Sequence, residues 1–197
     1  MKKLLFLPIV LAWLISCGSV ERVDTNTVTD LSGQWNDTDT RLSSEYLVNS
    51  ALGRSWLKNY SLDNYGKKPV VMVAVFNNET SEHFDTDLLV QQMESEFVNS
   101  GSVRMVANKQ LRDALRKERG EQQNGMVSED TVKRFGKELG ADFMMFGTVK
   151  MSYDKAGNTT AKLYQVDARL ISIETNEIVW VDNWKGKKIV KDSSSKW

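Results

Sequence analysis

The chain has 197 residues, 26 basic and 26 acidic side chains, and a composition that is 41% hydrophobic and 9% aromatic. With no basic surplus, nucleic acid is not indicated as a partner, and the apolar fraction suffices for one core of ordinary size, so a single domain is expected. A single cysteine and a single histidine exclude an internal disulfide and a histidine metal cluster.

Lys2 and Lys3 precede an apolar run over 4–15 that Pro8 interrupts once. This is a positive n-region and an h-region of signal-peptide length, too short for an ordinary membrane span. Leu14-Ile15-Ser16-Cys17 resembles a bacterial lipobox. That likeness implies removal of residues 1–16 as a signal peptide and acylation of the thiol and new amine of Cys17. Two or three chains anchor far better than one, since each buried CH2 contributes about 0.8 kcal/mol. Gly18 stands where an inner-membrane retention signal has Asp, which favours outer-membrane sorting. Loss of Lys2 and Lys3 leaves the remainder slightly acidic, and no second run is long enough to span a bilayer.

Residues 17–37, starting with the lipidated cysteine, are polar and without periodicity, and read as a flexible tether. Twenty extended residues reach at most roughly 65–70 Å. Trp35 is the exception; a lone Trp there docks on the domain or meets a partner, and docking is expected. The spacing of Leu42, Tyr46, Asn49, Gly53 and Trp56 predicts one helix over 38–60, widened by Leu47 and Ala51. Gly53 costs about 1 kcal/mol against Ala in such an interior and would permit close packing. Residues 64–66 form a loop. After Pro69, the valine-rich run 70–76 reads as a strand covered on both faces. Residues 77–84 are a polar loop. Asp85 caps a helix that stops at Gly101, with Leu89, Met93 and Phe97 inward and Val90 beside them. A short strand follows over 102–106.

Asn108 is placed to cap a further helix, with Leu111, Ala114 and Leu115 inward and a charged outer face of Arg112, Arg116, Lys117, Glu118 and Arg119. After a polar connection, Ser128 caps another, with Val132, Phe135 and Leu139 inward and Gly140 at its end. The apolar run 143–149 is expected to be a central strand. The pattern then alternates: 150–153, a turn at 156–158, 159–173 with Tyr164, Val166, Ala168 and Leu170 on one face, a turn at 174–176, and a last strand over 177–184. Residues 185–197 read as a charged, frayed tail. The expected fold is α/β of the mixed α+β kind, one globular domain over 38–184. Its mixed parallel/antiparallel sheet is flanked by helices and ends in an antiparallel three-strand meander, the first three strands running parallel through right-handed crossovers.

Catalytic patterns are missing: there is no Gly-x-Ser-x-Gly elbow, Walker loop or Gly-x-Gly-x-x-Gly fingerprint. Asp37-Thr38-Asp39 and Asp85-Thr86-Asp87 sit at helix starts, where capping explains them without a metal. Asp167 and Arg169 share a strand face and are expected to form a surface ion pair. The reading is therefore of a protein that is not an enzyme, with no catalytic residue, metal, cofactor or small-molecule substrate. The loop Asn77, Asn78, Glu79, Thr80, Ser81, Glu82 and His83 follows the C-terminal end of a buried parallel strand, the edge where open α/β sheets place ligand sites. It is either an ordinary polar turn with local side-chain bonds or a recognition loop in which His83 lends pH sensitivity.

Several segments resemble the LpoB family of penicillin-binding protein activators. They are 23–25 through 30–39, the loop 76–83, Asn99-Ser100-Gly101, Gly140-Ala141-Asp142-Phe143-Met144 with Gly147-Thr148-Val149-Lys150, and 173–180. The Gly-Ala-Asp-x-x-x-x-Gly pattern alone is less specific, since it recurs in folds similar to the TolB amino-terminal domain and CsgG. The resemblance implies an outer-membrane, periplasm-facing lipoprotein held by lipid through Cys17. It would bind a bifunctional class A penicillin-binding protein and stimulate peptidoglycan synthesis, and the loop 77–83 would contribute to that interface. A second possibility is a structural or assembly subunit of a CsgG-like lipoprotein complex, self-associating through an antiparallel edge strand. The best-known family members have a long, proline-rich tether. This one is short and lacks proline, which keeps the domain near its own membrane.

Overall fold

The computed structural model describes residues 21–106 and 129–192. Among them, the strands are β1 (Val70–Asn78), β2 (Arg104–Met105), β3 (Phe143–Ala156), β4 (Thr159–Ser172) and β5 (Ile178–Lys191). They form one sheet in the order β2–β1–β3–β4–β5. β1 pairs in parallel with β2 and β3, and β3, β4 and β5 form the antiparallel meander. This is the mixed sheet that the sequence predicts. β1 is covered on both faces, as a parallel strand requires. Val71, Val73 and Phe76 join the larger core, while Met72 and Ala74 join a smaller cluster on the other side.

The helices described are α1 (Asp37–Leu52), α2 (Ser55–Asp63), α3 (Thr86–Ser100) and α4 (Glu129–Glu138). Leu47, Val48 and Ala51 of α1 and Leu89, Val90, Met93 and Phe97 of α3 pack into the larger core. Asp85 caps α3, accepting from the Asp87 N–H at 2.9 Å, and Gly101 closes it at φ 63°. α4 lies close to the other sheet face: a Cβ on Gly136 would stand 2.7 Å from Ile173 Cδ1. Leu139 packs against the smaller cluster. The helix expected from Asn108 and the Ser128 cap lie outside the described residues, as do the side chains of Val132 and Phe135.

Three expectations need correction. The helix predicted over 38–60 is two helices. Gly53 ends α1, donating to the Asn49 carbonyl at 3.0 Å, and Arg54 is extended. Trp56 then folds back, and its buried indole N–H donates to the Ala51 carbonyl at 2.7 Å. The buried face of α1 also differs. Leu42, Tyr46 and Asn49 are exposed, while Ser43 and Ser44 are buried beside Leu47 and Val48. Each serine hydroxyl donates within the helix, to the Asp39 and Thr40 carbonyls, so small polar residues line a close contact without orphaned groups. Finally, 185–191 is not a frayed tail. It is the second half of β5, registered on 159–165, with Lys188 facing inward. Residues 193–197 lie outside the described residues.

Candidate partner-binding surface

The end of the sheet beyond β1 is built by two polar segments that fold against each other. Asn36 caps α1: its side chain accepts from the Asp39 N–H at 3.2 Å, and the Asp39 carboxylate accepts from the Asn36 N–H at 3.0 Å. The Asn36 amide also donates to the Thr29 carbonyl and the Asp30 carboxylate, fixing the preceding chain. Trp35 then lands on the sheet. Its ring stacks on Phe84 at 5.0 Å and 13° and meets Tyr164 and Trp184 edge-on at 5.7 and 6.1 Å. Its indole N–H donates to Thr40. The expected docking of Trp35 is observed. Within the segment expected as a tether over 17–37, residues 29–36 instead form an arm bound to the domain. Gly33, at φ +66°, is required there: a Cβ would sit 2.2 Å from Val190 Cγ2.

Charge locks the arm in place. Lys188 Nζ donates to Asp39 at 2.5 Å, to Asp30 at 2.7 Å and to the Gln34 carbonyl at 2.8 Å. Burial pushes the Lys188 ammonium toward neutrality, but the hydrogen bonds to its two carboxylates outweigh that and raise its pKa. The hydrogen bond from Lys188 is the main cause of the lowered Asp30 pKa, whereas burial lifts that of Asp39. Glu82 is the second lock. Its carboxylate accepts from the Trp35 backbone N–H at 2.9 Å, from Lys162 Nζ at 2.8 Å and from the buried Tyr164 hydroxyl at 2.8 Å. Burial raises the Glu82 pKa, yet these donors together hold it below the ordinary range. Burial, then the bond to Glu82, pushes the Tyr164 phenol up.

The loop expected to contact a partner thus has two sides. Asn77 and Asn78 are the end of β1, registered on Thr148 and Val149. Asn78 accepts from the Thr80 N–H at 2.9 Å and hydroxyl at 2.7 Å and donates to the Glu82 carbonyl at 2.8 Å. Asn78, Thr80 and Glu82 therefore hold the turn, while Glu79, Ser81 and His83 are exposed. Beside them, a depression of about 410 Å³ is lined by Trp35, Phe84, Leu88, Arg41 and Gln92, with Leu88 62% exposed.

Other expected positions are structural or differently paired. Asp142 of the Gly-Ala-Asp segment accepts from the Tyr60 hydroxyl and the Val70 N–H, both at 2.7 Å, which ties α2 to β1. Burial, then Asp142, pushes the Tyr60 phenol up to about 12. Asp167 and Arg169 do not form the expected pair: Asp167 meets Lys150 at 3.6 Å and Gln165, while Arg169 lies 5.0 Å over the Phe146 ring. Asp167 is taken by a lysine on the neighbouring strand and by Gln165 on its own, and Arg169 by an aromatic face, so neither is left for the other. Lys162 and Lys188 were missed as positioning residues. Lys188 had no signal, being one of several lysines in a charged segment. Lys162 is two residues from Tyr164 on the inward face of an alternating strand, which was a usable signal.

The arrangement is a polar rim at one end of the sheet, held from beneath by Asn78, Thr80 and Glu82. The chain belongs to the family of the peptidoglycan-synthase activator LpoB, whose model matches residues 39–185. It is similar to the solved LpoB C-terminal domain from Salmonella enterica, with 18% identity, a TM-score of 0.47, and coverage of 78% of this chain and 99% of that one. It is also similar to the NMR structure of Escherichia coli LpoB, with 15% identity, a TM-score of 0.49, and coverage of 97% of this chain and 86% of that one. No curated protein matches the chain in sequence.

Proposed function

We propose that this protein is an outer-membrane lipoprotein that binds a bifunctional class A penicillin-binding protein and activates it allosterically, stimulating peptidoglycan synthesis from the periplasmic side. The family match over residues 39–185 carries this reading. Activation requires tighter binding to an active synthase conformation than to an inactive one. The contact includes the exposed side of the 77–83 loop, with Glu79, Ser81 and His83 reaching the partner and Asn77, Asn78, Thr80 and Glu82 holding them in place. Leu88 and the adjoining depression offer an apolar anchor point beside this polar rim.

The lipid is carried by Cys17 after removal of residues 1–16. With 29–36 bound to the domain, residues 17–28 reach about 40 Å when extended. The synthase must therefore approach the outer membrane to meet this activator.

The test is glycan polymerisation from lipid II by the host's class A synthase, with and without the detergent-solubilised full chain. A saturable, several-fold rise in rate is expected. No change in rate, together with no direct binding, would overturn the reading. Metabolic labelling with a fatty-acid analogue, lost in Cys17→Ser, tests the anchor.

A further inference from the structure

We infer that the free edge of β5 takes up an acidic, extended segment of another protein as a sixth strand. This rests on the reading of the chain as a protein-binding domain and names a second contact, away from the 77–83 loop. β5 is the outermost strand of the sheet, 14 residues long and paired only on its β4 side among the described strands. No backbone hydrogen bond joins its other edge to any described segment. Strand addition needs such a row of unpaired N–H and C=O groups, and alternate side chains then give selectivity.

The side chains of β5 choose the occupant. Lys185, Lys187 and Lys191 alternate on the outward face and are exposed. Their cross-strand partners on β4 are Gln165, Leu163 and Thr159, so none faces a carboxylate. Ile189 lies between Lys187 and Lys191 on the same face and Val181 precedes the three lysines; they are 55% and 69% exposed. Lys188, pointing the other way, is already neutralised by Asp30 and Asp39. An incoming strand that alternates acidic with β-branched residues would set a carboxylate beside each free lysine, a favourable cross-strand pairing. A second copy of β5 would set lysine beside lysine. The charges that guard this edge against self-association therefore select a foreign, acidic strand.

The experiment uses the detergent-solubilised full chain and a synthetic peptide of about ten residues alternating Glu with Val. Saturable binding that weakens with salt is expected, with slowed amide exchange at alternate residues of 183–191. Reversing the lysines (K185E, K187E, K191E) should weaken binding at least tenfold. The milder Gln set, should the reversal not fold, should weaken it severalfold. A Glu-rich analogue with central prolines should not bind. Equal binding of the proline analogue would overturn strand addition, leaving charge attraction only. Binding of phosphatidylglycerol vesicles without peptide binding would overturn it in favour of an anionic membrane face, and concentration-dependent dimers through β5 would overturn it in favour of self-assembly. Because no synthase is present, this outcome is independent of the polymerisation assay. Peptide binding without activation would reject the activator reading alone, and activation without peptide binding would reject the strand proposal alone.

Discussion

Glu79 and Glu82 stand three residues apart in one polar loop, and they belong to different regions of the molecule. Glu82 faces inward and joins Trp35, Lys162 and Tyr164 beneath the arm, whereas Glu79 is exposed with Ser81 and His83 on the rim. Both regions are polar, but only one is structural. A carboxylate that has lost water must be fully paired to persist, and the donors around Glu82 supply that pairing. Exposed carboxylates need no partner within the chain and remain available to another molecule. The arm network is therefore expected to set stability, and the rim, under the proposed function, to set binding.

Substitutions can break that division or sharpen it. The largest effect is expected from Trp35→Ala, which removes one stacked and two edge-on ring contacts and should cost about 3 kcal/mol in urea unfolding. Glu82→Gln should follow at about 2 kcal/mol, because Lys162 loses its half-buried counter-charge while some hydrogen bonding survives. This variant also has a pH signature. The folded-state pKa of Glu82 lies below its ordinary 4.5, so its contribution is complete above that value and is lost as pH falls through the folded pKa. Acid titration of stability should show a shallower loss below about pH 4.5 in Glu82→Gln than in the native chain; parallel curves would contradict the lock. Gly33→Ala should cost about 1–2 kcal/mol by forcing a side chain against Val190 at a positive φ, measured by the same unfolding curves. The smallest stability effect belongs to combined alanine substitution of Glu79, Ser81 and His83, within about 0.5 kcal/mol of the native chain. The same triple variant should lower synthase activation at least severalfold in the lipid II assay. Destabilisation on the scale of Trp35→Ala would erase the distinction between rim and network, and full activation would remove the rim from the interface.

Much of the fold was legible because periodicity and local chemistry agreed. The valine-rich β1, the Leu89, Met93 and Phe97 stripe of α3 between Asp85 and Gly101, and the inward row Tyr164, Val166, Ala168 and Leu170 follow from burial on one or both faces. The errors fall where burial and hydrophobicity part company. In α1 the buried face includes Ser43 and Ser44 as well as Thr38 and Asp39, so the apolar spacing of Leu42 and Tyr46 points to the wrong side. In β5 the lysines concealed a strand, since a charged alternating segment resembles a solvated tail until its partner strand is known. The candidate loop was located from the end of β1, but its division into holding and exposed residues depended on Lys162, Tyr164 and Trp35, which are distant in sequence.

By itself, the sequence determined the mixed sheet, most strand positions, the caps of α3 and the family likeness, because these depend on local pattern and on short motifs. Tertiary structure alone decided that the arm is part of the domain, that Lys188 is a half-buried counter-ion, that Glu82 is a fastening, and that β5 continues to Lys191 with one edge unpaired among the described residues. The physical reason is common to all four. Whether a polar group is structural depends on which distant partner replaces its water, and that partner is brought into place only when the chain has folded.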